Sequence, residues 1–146
     1  MIYIQYERIK QKYRIAQDNY EELIREKEDL FNLTQPRAQQ TDKERISGGQ
    51  SDNSFDRYLI KQEQKNIDER LEAAKEIVDV RKEMLEQKRA ELEASEDVMD
   101  RLYYLKYIKR LRNKEIYDVI DYSKAQSERY LRQIRSAIIR IFGQEN

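Results

Sequence analysis

Residues 71–99 read LEAAKEIVDVRKEMLEQKRAELEASEDVM, and an apolar residue returns at every seventh position of this stretch. This heptad row consists of Leu71, Val78, Leu85, Leu92 and Met99. A sevenfold repeat keeps one stripe of an α-helix turned towards a partner helix, which is the pattern of a coiled coil. It predicts a long coiled-coil helix over residues 55–96, with Ser54 as its N-cap. We expect the heptad row to mediate oligomerisation.

The neighbouring row of the same helix is less apolar. It runs through Ile67, Ala74, Arg81, Lys88, Ser95 and Leu102, so its middle is polar. A coiled coil normally uses two apolar rows on each helix, and we therefore expect this helix to borrow apolar surface from another one. The partner is either the first helix of the chain, in a helical hairpin, or a second subunit. A homodimer is the expected assembly.

A shorter amphipathic pattern precedes the heptad row. Between Tyr6 and Leu30, apolar residues recur at steps of three and four, which predicts an amphipathic helix over residues 1–33. The pattern stops at residues 34–54, a segment rich in polar residues that contains Pro36 and two glycines. This composition predicts a flexible loop. Such a loop allows the first helix either to fold back on the second or to swap onto another subunit.

The composition favours an all-α fold and excludes several kinds of chemistry. Charged side chains make up 40% of the 146 residues, with only three glycines and one proline. Long straight-chain residues lose little rotamer freedom in a helix. Because the chain has no cysteine and no histidine, it has no disulfide, no zinc site of the usual kind and no imidazole base. We expect no enzyme, no metal and no cofactor.

The hydropathy of the chain bears on its location. No apolar run approaches the roughly 20 residues that are needed to span a bilayer. We therefore expect no membrane contact and a cytoplasmic protein.

The formal net charge of zero hides an asymmetry between the two ends of the chain. Residues 1–100 contain 18 basic and 24 acidic residues, a net charge of −6. Residues 101–146 contain 11 basic and 5 acidic residues, a net charge of +6. This split predicts that the C-terminal end binds a polyanion.

Residues 97–143 have the spacing of three short helices. Apolar positions mark a first helix, the polar run 109–113 is typical of a turn, and a second short helix follows around Ile116. Either Ser123 or Ser127 is the N-cap of the third helix. Three helices with a short turn between the last two form a helix-turn-helix, whose third helix enters the major groove of DNA.

The candidate contacts to double-stranded DNA lie on the third helix and on the turn before the second. If Ile134 and Ile138 face the core, the basic and amide side chains of the third helix face outward. Arginine suits guanine and glutamine suits adenine, whereas lysine mainly meets phosphate. The candidates of the third helix are Ser123, Lys124, Gln126, Ser127, Arg129, Arg132 and Gln133, with Arg135 as a further outward position. The candidates of the turn are Arg110, Arg112 and Lys114, beside a helix N-terminus that favours phosphate.

Three segments of the C-terminal part carry a family resemblance, namely residues 105–108, 115–123 and 129–138. They resemble the helix-turn-helix of sigma factor region four, as it occurs in the ArpU-like and RinA-like regulators of late genes in bacteriophages of Gram-positive bacteria. The long charged helix and the preceding segment 45–52, Arg-Ile-Ser-Gly-Gly-Gln-Ser-Asp, are similar to these proteins as well. The resemblance therefore covers most of the chain.

The residues before the third helix depart from the family in two places. The family commonly has isoleucine, alanine, two variable residues, leucine, glycine, tyrosine and serine. The matching positions here hold Ile116, Tyr117, Ile120, Asp121, Tyr122 and Ser123. Tyr117 stands where the family has a small residue, and Asp121 replaces the glycine that eases the turn, so the turn geometry is expected to differ.

The resemblance implies a transcriptional regulator that is encoded by a phage, a prophage or a related mobile element and acts in the cytoplasm of a bacterial host. It also implies RNA polymerase or a related phage regulator as a further partner. Whether such a regulator activates or represses transcription is left open by the residues.

Two other functions fit the same features. One is a protein-interaction module that antagonises a related regulator or RNA polymerase without reading DNA. The other is a DNA-packaging subunit of the small-terminase kind, which forms rings of many subunits. An enzyme fits least, because carboxylate pairs such as Glu21 and Glu22 lie in charge-rich helical stretches.

Overall fold

The computed structural model describes residues 1–34 and 50–145, and in this part of the chain every regular element is helical. The helices are α1 (Ile2–Thr34), α2 (Gln50–Ala94), α3 (Val98–Tyr103), α4 (Asn113–Val119) and α5 (Lys124–Glu145), with a π-helical turn at Tyr104–Ile108 directly after α3. The predicted all-α class is confirmed. Within the described residues no helix is both long and apolar enough to cross a membrane.

The start of the first long helix agrees with the prediction, whereas the second long helix starts earlier than predicted. α1 agrees with the helix predicted over residues 1–33. α2 begins at Gln50 instead of Phe55, so Ser54 lies inside the helix and its assignment as the N-cap is wrong. No glycine or proline separates Gln50 from Phe55, and nothing in that stretch ends a helix. The rest of the predicted loop, residues 35–49, lies outside the described residues.

The chain forms two compact units. The first unit consists of residues 1–14 and 80–146, and the second unit consists of residues 15–79. The first unit contains the predicted DNA-binding domain, residues 97–143, together with the beginning of α1 and the end of α2. The predicted domain is therefore only part of a larger compact unit.

In the second unit, α1 and α2 pair in an antiparallel direction. Lys27 Nζ lies 2.8 Å from Asp68 Oδ1, and Arg70 Nη1 lies 3.7 Å from Glu26 Oε2. These side chains are about half exposed, so each pair contributes only about 0–1 kcal/mol to stability. Ile67 of the companion row is buried here. The pairing is that of a helical hairpin, one of the two expected arrangements.

The end of the heptad row serves the core of the first unit. Leu92 and Met99 are 1% and 6% exposed, and they lie in one apolar cluster with Tyr3 and Tyr6 of α1. Because side chains buried within the chain cannot face another subunit, the assignment of Leu92 and Met99 to oligomerisation is wrong. The start of α1 supplies the apolar surface that the polar companion row lacks. The other members of the heptad row are half-buried, namely Leu71, Val78 and Leu85.

Tyrosine rings fill the space between α1 and α3 in the first unit. The fully buried ring of Tyr103 stacks on Tyr3 at 5.4 Å and on Tyr107 at 5.0 Å between ring centroids, and Tyr6 meets it edge-on at 6.0 Å. The Tyr103 hydroxyl donates a hydrogen bond to the buried carboxylate of Glu7. Burial and this hydrogen bond raise the pKa of Tyr103 above its ordinary value, so the phenol stays protonated.

A buried carboxylate fastens the beginning of α1 to the rest of the first unit. Asp100 of α3 is 1% exposed. Its Oδ1 accepts a hydrogen bond of 3.0 Å from the backbone N–H of Tyr3, and its Oδ2 accepts one of 3.0 Å from the Ser95 hydroxyl. The N–H groups in the first turn of a helix have no partner within the helix and attract negative charge. Asp100 therefore caps α1 from a position far away in the sequence.

Replacing Asp100 with alanine should lower the free energy of unfolding by about 1–3 kcal/mol, because a buried N–H and a partly buried hydroxyl lose their acceptor. Urea unfolding followed by circular dichroism measures the change. The control variant Asp79→Ala removes an exposed carboxylate from α2 and should change stability by less than about 0.5 kcal/mol. Equal stability of the two variants would contradict the capping role of Asp100.

The tyrosine cluster predicts a loss of stability in alkali. Unfolded tyrosines ionise near pH 10, whereas the folded-state pKa of Tyr103 is raised. Its contribution to stability is therefore complete below about pH 10 and is lost as the pH rises from there towards the folded-state pKa. We expect the urea midpoint to fall above about pH 10, and to fall less steeply in Tyr103→Phe. The exposed residue Tyr58 provides the control Tyr58→Phe, which should keep the pH dependence of the original chain. A midpoint that stays constant up to about pH 11 would refute this account.

Candidate nucleic-acid interface

The last three helices share one core, and this core determines which side of α5 faces solvent. Leu131 and Ile134 of α5 are buried in the same cluster as Leu102 of α3 and Ile116 of α4. α5 thus buries one side of an amphipathic helix and exposes the other. The order of α3, α4, a short turn and α5 is compatible with a helix-turn-helix.

The chain leaves α3 through a widened turn. Lys109 N–H donates to Tyr104 O at 2.9 Å, five residues back, and Leu111 N–H donates to Leu105 O at 3.0 Å, six residues back. Arg110 lies between these bonds with a φ of 56°, in the left-handed region that favours glycine. The Arg110 side chain is exposed, so its charge is available at the surface. The left-handed backbone conformation of this residue is unfavourable by about 1–2 kcal/mol for any residue with a Cβ.

The other two candidates of this turn are also exposed. The Arg112 side chain is 88% exposed and donates from Nε to Glu115 Oε1 at 2.9 Å, which offsets part of its charge. Lys114 lies in the first turn of α4 and is exposed. Arg110, Arg112 and Lys114 form a basic surface segment, but none of them lines the groove on α5 that is described below.

Ser123 caps α5, which settles the choice between the two serines. Its Oγ accepts a hydrogen bond of 3.2 Å from the N–H of Gln126, and its carbonyl oxygen accepts one of 2.9 Å from the N–H of Ser127. Ser127 is completely buried, and its hydroxyl has no hydrogen-bond partner among the residues that the structure describes. Ser127 therefore neither caps the helix nor reaches a ligand, and its assignment as a DNA contact is wrong.

One exposed side of α5 carries a shallow open groove. The residues that line this groove, the α5 groove, are Arg129, Arg132, Gln133, Ser136, Ala137 and Arg140. Positions 129, 133, 136 and 140 recur at steps of four and three, so they lie on one face of the helix. The structure therefore brings together three predicted candidates, Arg129, Arg132 and Gln133.

The α5 groove is strongly electropositive. No acidic residue in the described part of the chain lines it. Arg129, Arg132 and Arg140 are exposed, and none of the ion pairs within residues 1–34 and 50–145 involves them. Three unpaired guanidinium groups are thus available to an external anion, together with one amide and one hydroxyl group.

Two candidates on α5 do not belong to this groove. At 100° per residue, Lys124 lies about 140° around the helix from Arg129, so it faces another direction. Gln126 is half-buried, and its Nε2 donates to the hydroxyl of Tyr130 at 3.1 Å. Its amide is therefore engaged within the protein.

Two polar residues that line the groove, Ser136 and Arg140, were not among the predicted contacts, and neither was the apolar Ala137. The predicted contacts end at Arg135, although the predicted third helix continues to residue 143. α5 continues to Glu145, and the same face continues with it. The spacing from Arg129 through Gln133 to Arg140 was present in the sequence, and extending it by two turns would have found both residues.

Comparisons with protein-family models, curated proteins and solved structures find no match to this chain.

The two serines at the start of α5 provide a matched test of the cap. Ser123→Ala should lower the free energy of unfolding by about 1 kcal/mol, because the N–H of Gln126 loses its acceptor. Ser127→Ala removes a buried hydroxyl that has no partner, and it should leave stability unchanged or raise it by up to about 1 kcal/mol. Thermal and urea unfolding measure both. The reverse order of stabilities would show that the cap is assigned to the wrong serine.

Proposed function

We propose that this chain binds double-stranded DNA through the α5 groove and acts as a transcription regulator. The observation that carries the proposal is a set of three arginines on one exposed helix face, which form no ion pair with any described residue and have a glutamine and a serine between them. These residue types bind phosphates and base edges, and the face contains no carboxylate that would repel DNA.

The dimensions of α5 suit the major groove. Its 22 residues make a rod of about 33 Å. The major groove of B-DNA is about 12 Å wide and admits one α-helix. Because the core holds the apolar side of α5, the basic side is the one available to DNA.

The charge distribution of the chain supports the same proposal. The net charge of +6 over residues 101–146 draws a polyanion towards this part of the chain, while the net charge of −6 over residues 1–100 disfavours contact with the rest. Arg110, Arg112 and Lys114 add a second exposed basic segment that is suited to the phosphate backbone.

The regulatory role and the origin of the chain rest on the resemblance to the ArpU-like and RinA-like regulators. We propose a protein encoded by a phage or another mobile element, which acts in the cytoplasm of a bacterial host. RNA polymerase or a related regulator is the proposed protein partner. A homodimer would double the phosphate and base contacts, and the half-buried residues Leu71 and Val78 are the members of the heptad row that a second subunit would cover.

A second function is favoured by two exposed apolar residues of α5. Ile139 and Phe142 are 61% and 41% exposed, although both are large apolar residues. They are not among the residues that line the α5 groove, and they suit contact with another protein. The alternative is therefore a protein-interaction module that antagonises a regulator or RNA polymerase. It predicts a stable complex with a protein and no retention of DNA.

Binding to random-sequence and genomic duplex fragments at about 50 and 200 mM salt tests the proposed function. We expect affinity to fall steeply with salt, because each neutralised phosphate adds about 0.9 to the slope of log affinity against log salt. The triple variant Arg129→Gln, Arg132→Gln, Arg140→Gln should reduce this slope by up to about 2.7 and weaken binding to all sequences.

The matched control is the triple variant Lys65→Gln, Lys75→Gln, Lys82→Gln, which removes the same charge from exposed positions of α2. It should bind DNA as the original chain does. If both triple variants weaken binding equally, the α5 groove is not the DNA site. Light scattering in the same buffer gives the mass of the assembly, and a ring of many subunits would favour a small-terminase role over a dimeric regulator.

A further inference from the structure

The first turn of α5 is poorly equipped to read bases. In a helix-turn-helix, the N-terminal residues of the recognition helix normally contact base edges. Here Ser123 is engaged as the cap, Gln126 is bonded to Tyr130 and Ser127 is buried. Lys124 is exposed, but it faces away from the α5 groove. If α5 reads DNA sequence, another part of the helix has to do so.

The middle of the α5 groove holds free polar groups of the kind that read bases. Gln133 and Ser136 are exposed and lie between Arg129 and Arg140 along the same face. No hydrogen bond within the described residues engages the amide of Gln133. A free glutamine amide can donate from its nitrogen to N7 of adenine and accept with its oxygen from the exocyclic amine N6, the bidentate pairing that distinguishes this base.

The residues at the two ends of the α5 groove are suited to binding the phosphate backbone of DNA. Arg129 and Arg140 are separated by eleven residues, which corresponds to about 16 Å along the helix axis. The major groove curves around the duplex, so a straight helix comes closest to the base edges at its midpoint, and its ends rise towards the phosphates. Guanidinium groups at both ends of this face can therefore bind the phosphates on the two sides of the major groove, while the middle of the helix approaches the base edges.

We infer that Gln133, in the middle of α5, is the residue that reads a base, preferring adenine, and that Arg129 and Arg140 hold the phosphates on either side of it. This inference rests on the proposed DNA binding and deepens it. It places sequence reading two turns later than the usual position in a recognition helix. Ser136, one turn after Gln133, is the neighbouring polar residue that would contact base edges in the major groove.

The test is selection of binding sites from a random duplex library, followed by affinity measurements on the selected site and its single-base variants at several salt concentrations. Gln133→Ala should remove the preference for adenine at one position, a change of roughly 5- to 150-fold in discrimination, and leave the salt slope unchanged. Arg129→Gln and Arg140→Gln should each lower the salt slope by about 0.9 and keep the base preference.

Two matched controls replace the same residue types at positions of α5 that do not line the groove. Gln126→Ala removes the glutamine of the first turn and should keep the base preference. Arg135→Gln removes one exposed arginine of α5 that does not line the groove, and should keep the salt slope. Circular dichroism confirms that each variant is as helical as the original chain.

The outcomes distinguish this inference from the proposed function. If Gln126→Ala or a Lys124→Ala variant abolishes the base preference while Gln133→Ala retains it, the inference is overturned and DNA binding stands. Selection without any base preference likewise overturns it and leaves nonspecific DNA binding. If the original chain retains no duplex at about 50 mM salt, the proposed function fails, and the inference fails with it.

Discussion

The buried carboxylate of Asp100 is the contact on which the first unit depends. It joins Tyr3 at the start of α1, Ser95 after the end of α2, and α3 itself. A carboxylate that is 1% exposed is stable only while its donors remain in place, because water cannot replace them. The start of α1, the segment around Ser95 and α3 therefore stabilise one another's positions. α5 packs on α3, so the orientation of the basic face depends on a hydrogen bond to the opposite end of the sequence.

α5 shows how one helix combines a core and a charged surface. Ile134 is completely buried, and the arginines of the α5 groove face solvent on the other side. Several guanidinium groups within about 16 Å of helix repel one another, and no acidic residue in the groove offsets that repulsion. The surface without a bound anion is therefore the less favourable electrostatic state, and binding of a polyanion relieves it. This relief of repulsion follows from the surface charges alone, and any polyanion would provide it.

The sequence was most informative where a local pattern decides the structure. The helical class, the cap at Ser123 and the inward face of Ile134 follow from composition and spacing over a few turns. The wrong assignments of Leu92, Met99 and Ser127 have one cause, since burial depends on contacts between distant parts of the chain. The partner of Asp100 is 97 residues away, and no periodicity reveals that pairing. The groove was found only in part, because the predicted contacts end at Arg135, whereas Arg140 lies further along the same predicted helix.

The π-helical turn at Tyr104–Ile108 makes the number of residues in this segment as important as their identity. A π turn holds one more residue than an α-helical turn, and each residue rotates the chain by about 100° around the helix axis. Removing one residue would restore regular winding and would redirect Arg110, Arg112 and α4 together. Side chains in this segment can be exchanged one at a time without that effect. Insertions and deletions here are therefore the changes that would reorganise the basic turn, even if every amino acid type were kept.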